Sequence, residues 1–147
     1  MMSEENVEIV RQVFELFRNR ESTAEGGFGA ADVARAAELF HRDFELDATR
    51  MPMVDLQGTY RGPTEVGDFW RRWLEPWESQ DFEVELTDAG DRVLAELTQR
   101  MRGRGSGIEV PFPPAWQVFI VRDAQVISQA LFLDEAEARQ AAGLSQN

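Results

Sequence analysis

Cysteine is absent from the 147 residues, and so is lysine: all fifteen basic residues are arginine. Without cysteine there is no disulfide, no thiolate nucleophile and no Cys-ligated zinc. Without lysine, Schiff-base chemistry and a Walker-type phosphate lysine are excluded. One histidine, His41, cannot build a His-rich metal site within one chain. No Gly-x-Ser-x-Gly elbow occurs, and no Gly-x-Gly-x-x-Gly follows a strand. No apolar run reaches the ~20 residues of a membrane span. The opening Met-Met-Ser-Glu-Glu has neither the basic nor the apolar region of a signal peptide, so a cytoplasmic protein is expected. Positive charge is scarce too: 27 acidic residues face 15 basic ones, for a net charge of −12. That sign repels phosphate backbones and anionic lipid, so neither nucleic acid nor membrane is an expected partner. Chemistry is left to carboxylates, arginine, His41, Tyr60, hydroxyls, amides and bound water.

What is present reads as one globular domain over 1–147. Apolar residues make up 43% and charged residues 29%, a balance that supports a packed core. A helix is expected from Ser3 to Arg20, with Val7, Val10, Phe14 and Phe17 on one stripe. Glu21 to Ala31, with three glycines in four positions, reads as a loop. A second helix starts near Asp32 and carries His41 at its C-terminal end, where the dipole favours a histidine. Asp43 to Thr49 alternates as a strand. Tyr60-Arg-Gly-Pro63 leads into a third helix, whose Val66, Phe69, Trp70, Trp73 and Trp77 form an aromatic stripe; Pro76 ends it. From Asp81 the period changes to two. Strands are expected at 82–86, 93–100, 108–122 and 126–133, the third interrupted by Pro111, Pro113 and Pro114. Asp134 to Ala142 is a short last helix.

Helices segregated from hairpin-linked strands imply an α+β fold. Trp116-Gln-Val-Phe-Ile-Val121 is apolar on both faces of its strand. One face meets the helices, and the other needs a cover as well. A homodimer packed through the sheet is the expected cover.

The order of elements resembles the NTF2-like superfamily, in particular its SnoaL-like branch. Four stretches carry the likeness: Glu5-Asn-Val-Glu-Ile-Val-Arg-Gln-Val-Phe14, Tyr60-Arg-Gly-Pro-Thr-Glu-Val-Gly-Asp-Phe-Trp70, Asp88-Ala-Gly-Asp-Arg-Val93 and Ile120-Val-Arg-Asp-Ala-Gln-Val-Ile127. The resemblance implies a cone: three N-terminal helices packed on a curved, mostly antiparallel sheet, with a short C-terminal helix and an apolar cavity at the wide end. It also implies pairing through the sheet. The superfamily holds ketosteroid isomerases, polyketide cyclases, epoxide hydrolases and dehydratases, beside members that only bind ligands or proteins. Fold alone does not choose among them.

Isomerases of the superfamily place a general-base aspartate near the end of the first strand, which makes Asp47 the catalytic candidate here. The pleat argues the other way. If Phe44, Leu46 and Ala48 face the core, Asp47 faces out unless a bulge before Pro52 turns it. An ungapped comparison puts Ala48 at the base position. The two oxyanion donors of the isomerase pattern fall on Phe14 and Trp116, and neither carries an O–H group. The aromatic set carries more weight. Trp70, Trp73 and Trp116, with Met101, offer flat apolar surface to a ring-shaped ligand, or else simply form core. Tyr60 offers a hydroxyl to a ligand or to local packing. Gln129 is polar on an apolar strand face and needs a partner, in a ligand, the backbone or water.

Two functions follow from the residues. One is a cofactor-free and metal-free acid/base enzyme acting on a small apolar ring-containing molecule by isomerisation, cyclisation or hydration. The other is a non-catalytic ligand-binding or carrier domain; a protein-interaction domain with a filled pocket is a third reading. An open cavity separates the third from the others. An inward ionisable group separates the first from the second.

Overall fold

The computed structural model describes residues 2–19 and 28–144. Helix α1 (Met2–Asn19) opens with Glu4 and Glu5, where the dipole favours negative charge, and ends with Arg18. Its Val10, Val13 and Phe14 are buried at the i, i+3 and i+4 spacing of one face. The expected helix end at Arg20 and most of the expected glycine loop, 21–27, lie outside the described residues.

Helix α2 (Ala30–Leu39) begins where Gly29 takes an extended conformation and donates its N–H to the Asp32 carboxylate (2.9 Å). Strand β1 (Phe40–Asp47) follows without a loop. It starts three residues earlier than the sequence pattern suggests, so His41 lies in a strand and caps no helix. Phe40 is already extended, and its ring meets that of Phe44 at 4.6 Å. His41 Nδ1 instead accepts the N–H of Asp43 (3.0 Å).

A single 3-10 turn (Val54–Leu56) and a three-residue strand, β2 (Thr59–Arg61), precede helix α3 (Gly62–Leu74). Pro63 suits the first helical turn. Pro76 ends the helix as expected, and it thereby removes Trp77 from the helical stripe. Trp77 opens strand β3 (Trp77–Ala89), yet its ring stays within 6.4 Å of Trp73.

The remaining elements are β4 (Arg92–Gly103), β5 (Glu109–Pro111), β6 (Ala115–Arg122), β7 (Gln125–Phe132) and helix α4 (Glu135–Ala141). The proline-rich stretch splits the expected long strand in two, because Pro113 and Pro114 have no N–H for a ladder. The strands make one curved sheet in the order β2-β1-β7-β6-β4-β3, with β5 on β4. Every ladder is antiparallel except β1 with β7. No helix among the described residues is long and apolar enough to cross a membrane.

Alternation divides the apolar residues between two faces. Val93, Ala95 and Leu97 of β4, with Phe119 and Val121 of β6, pack on α1. Leu94, Val118 and Phe132 take the other face, where Ala138 of α4 and Ala142 cover them. The second face of β6 is therefore covered in part from within the chain.

Candidate functional site

Two cavities open on the helix-covered side. The narrow one holds about 160 Å³ and is walled by Phe14 and Phe17 of α1, Phe69, Trp70 and Trp73 of α3, and Phe82, Leu97 and Leu131 of the sheet, with Trp116 and Phe132, which belong to the α4 face, at its edge. Phe112 and Pro113, in the segment between β5 and β6, form part of its rim. Phe112 is held there by edge contacts to Trp73 (5.7 Å) and Trp77 (5.6 Å), and by its N–H on the Gln99 carbonyl (3.0 Å).

The polar lining of this chamber is four glutamines: Gln80, Gln99, Gln117 and Gln129. The ladders explain their pairing. Gln117 stands opposite Leu131 and Phe119 opposite Gln129, so the two glutamines are diagonal neighbours on one face. Gln80 and Gln99 are diagonal across β3 and β4 in the same way. Gln129 Nε2 donates to Gln117 Oε1 at 2.8 Å, and Gln80 Nε2 to Gln99 Oε1 at 3.0 Å. Gln129 is only 2% exposed, and its Oε1 is buried with no hydrogen-bond partner. Among the described residues that line it none is ionisable.

The wide cavity holds about 500 Å³ between α1, α2, β1 and α3. Leu16, Val33, Ala36, Phe40, Phe44 and Val66 supply apolar wall, and Asp32, His41, Arg42 and Gln125 supply polar groups. Phe17 and Trp70 belong to both cavities. Their rings meet edge to face at 4.9 Å, and Trp70 meets Phe69 in the same manner at 4.9 Å. Among the described residues no group of three or more His, Cys, Asp or Glu is placed to hold a metal ion.

The seven residues singled out by sequence fall into two sets. Trp70, Trp73, Trp116 and Gln129 line the narrow chamber together. Asp47, Tyr60 and Met101 line neither cavity. Asp47 is in register with Thr59 and Ala130, and no bulge turns it inward. Phe44, Leu46 and Ala48 are buried, which sends Asp47 to the opposite side. Its carboxylate accepts the N–H (3.0 Å) and hydroxyl (2.6 Å) of Thr49 and pairs with Arg50 at 3.2 Å. Partial burial alone raises such a carboxyl. The Thr49 hydrogen bonds and the Arg50 charge outweigh it and hold Asp47 below the usual carboxylate range. Tyr60 donates its hydroxyl to the Leu56 carbonyl (2.8 Å) and packs on Phe69. Met101 is fully buried in the core around α3.

Phe14 lines the narrow chamber, while Trp116 touches its edge from the face of β6 that packs on α4. Neither of these two positions, at which the isomerase pattern implies O–H donors, carries one. Ala48, at the implied base position, is buried core. The sequence reading missed Gln80, Gln99 and Gln117. Gln117 sits in the same kind of apolar strand as Gln129, so the same signal was there to find it. The wide chamber has no such signal, since it lies between elements distant in the chain.

A SnoaL-like domain matches residues 20–129. No curated protein matches the chain. Among solved structures, an NTF2-like protein of unknown function from Burkholderia pseudomallei is similar over 92% of this chain and 95% of its own, at 19% identity and a TM-score of 0.68. A protein from Jannaschia, named as a candidate SnoaL-like polyketide cyclase, is similar over 95% of this chain and 91% of its own, at 20% identity and a TM-score of 0.68. TerC, co-crystallised with polyporic acid, is similar over 95% of this chain and 98% of its own, at 17% identity and a TM-score of 0.64. At these identities the likeness establishes the fold.

Proposed function

The chain belongs to the SnoaL-like family, and from that premise we propose that it binds a small apolar ring-containing molecule in the narrow chamber. The observation that carries the reading is the lining itself: aromatic rings with neutral amides as its polar groups. Aromatic walls with a few placed polar groups are what ring ligands require. A cavity of about 150 Å³ accepts one benzene ring, and this one has about 160 Å³. That TerC was crystallised with polyporic acid supports ligand binding on this fold.

Asp47 has a structural role in this reading, joining the end of β1 to Thr49 and Arg50. General acid/base catalysis needs a titratable group within hydrogen-bond reach of the reacting atom. Among the described residues the narrow chamber offers none. The second reading, isomerisation, cyclisation or hydration, is favoured by one observation only: Asp32, His41 and Arg42 line the wide chamber. A homodimer through the sheet, over the part of the outer face that α4 leaves bare, belongs to the same proposal and is checked by light scattering at micromolar concentration.

The test is a titration of isotope-labelled protein with toluene and with phenol, followed by backbone amide chemical shifts. Saturable shifts are expected at residues around Trp73, Trp116 and Gln129. Ala115→Phe, which adds a ring to the chamber wall, is expected to weaken them. No saturable shift with either probe would overturn the reading.

A further inference from the structure

We infer that Gln129 is the specificity-determining polar contact of the narrow chamber, and that it selects a neutral ring bearing a hydrogen-bond donor, as a phenol does. The inference rests on the pocket reading above and goes on to name the ligand's chemistry. The amide of Gln129 is committed at one end and open at the other. Its Nε2 donates to Gln117 Oε1 at 2.8 Å, and its Oε1 is buried without a partner. A buried acceptor left alone is costly, and a ligand hydroxyl or N–H removes that cost.

In this pair the Gln117 oxygen accepts from the Gln129 nitrogen, and the Gln129 oxygen is the atom left over. The pair therefore has a direction, and the ligand must supply the donor. The charge state of the ligand follows from the same wall. Among the described residues lining the chamber there is no arginine, histidine or lysine to neutralise an anion. A phenolate or carboxylate would enter an aromatic cavity unpaired, at a large desolvation cost. A neutral phenol meets neither obstacle. An ether or an unsubstituted ring would leave the Gln129 oxygen as it is.

Phenol and toluene have one ring each and differ by a hydroxyl in place of a methyl, which makes them the probe pair. In the wild-type protein phenol is expected to bind at least as tightly as toluene, although water holds its hydroxyl. In Gln129→Met, which keeps side-chain length and removes the acceptor, the ratio of phenol to toluene affinity is expected to fall about tenfold or more. Gln117→Met is a second, independent variant. It frees the Gln129 amide to turn, so the phenol advantage shrinks and nitrobenzene, which only accepts, gains. If both probes bind the wild type but toluene is tenfold the tighter, the inference is overturned and the pocket reading stands. An unchanged ratio in Gln129→Met overturns it as well. If neither probe binds, the pocket reading fails and takes the inference with it. Should Gln129→Met not fold, the wild-type comparison and Gln117→Met decide.

Discussion

The narrow chamber and the wide one are both walled by Phe17 and Trp70, yet their polar groups differ in kind. The narrow chamber lies against the middle of the sheet, and its four glutamines pair across the ladders, with the Gln129 oxygen left over. Amides can be buried there at modest cost because each finds a partner one diagonal away. The wide chamber lies where α2 runs straight into β1, and its polar residues include Asp32, His41 and Arg42. Those groups also serve the backbone: Asp32 accepts the Gly29 N–H that opens α2, and His41 accepts the N–H of Asp43. Place in the fold thus sorts the chemistry. Neutral amides line the narrow cavity, and the titratable groups found among the described residues line the wide one.

The largest effect is expected from removing the shared wall. Trp70→Ala deletes a half-buried ring that touches both Phe17 and Phe69. Large-to-small changes at such sites cost about 3 kcal/mol, which urea unfolding would read as a lowered midpoint. The same change should merge the cavities, so naphthalene, too large for a one-ring chamber, should gain affinity relative to toluene. Continued exclusion of naphthalene would mean that the chambers are separated by more than these two rings.

A smaller effect is expected at Asp47, which the contrast assigns to neither chamber. Asp47→Asn should lower stability by about 1 kcal/mol at neutral pH, the size of one charged hydrogen bond beside a partly exposed ion pair. The sign follows from linkage. The folded carboxyl is held below its unfolded value, so the stabilisation is complete above about pH 4 and is lost as pH falls through the lowered folded value. Urea midpoints of the two proteins should therefore converge in acid. Toluene binding should not change. Loss of toluene binding in Asp47→Asn would attach Asp47 to a ligand site and break the contrast.

How much of this was legible in the sequence follows from the range of each signal. Period-two alternation is local, so β3, β4, β6 and β7 are readable, as is the outward turn of Asp47 between Leu46 and Ala48. The aromatic stripe of α3 is local too, and it places Trp70 and Trp73 on the chamber side. Strand β2 has three residues, too few to show a period. The start of β1 at Phe40 was hidden because α2 passes into it without a turn residue. The pairing of Gln117 with Gln129 depends on register across a hairpin, and that of Gln80 with Gln99 on another. In the β6–β7 hairpin the register is set by the two-residue turn at Asp123 and Ala124, both at positive φ without a glycine, where Asn-Gly would have announced the hairpin type, and by an irregularity between Ile120 and Val121 that shifts the ladder by one. Tyr60 and Met101 had the right chemistry for a pocket, but neighbouring elements close over them.

The smallest effect is expected at His41, and it tests whether the chambers are independent. None of the described side chains lining the narrow chamber is ionisable, so toluene, which has no titratable group itself, should bind with the same affinity between about pH 5 and 8. His41 lines only the wide chamber, on the far side of Phe17 and Trp70. His41→Asn offers an amide oxygen in place of the ring nitrogen that accepts the Asp43 N–H and removes the imidazole. It should change toluene affinity by less than about twofold, the usual scale for sites that share no partner. A severalfold change of toluene affinity in His41→Asn would mean that the side chains of the wide chamber move the Phe17–Trp70 wall. The two cavities would then be one coupled site, with the titratable groups acting on a ligand they do not touch.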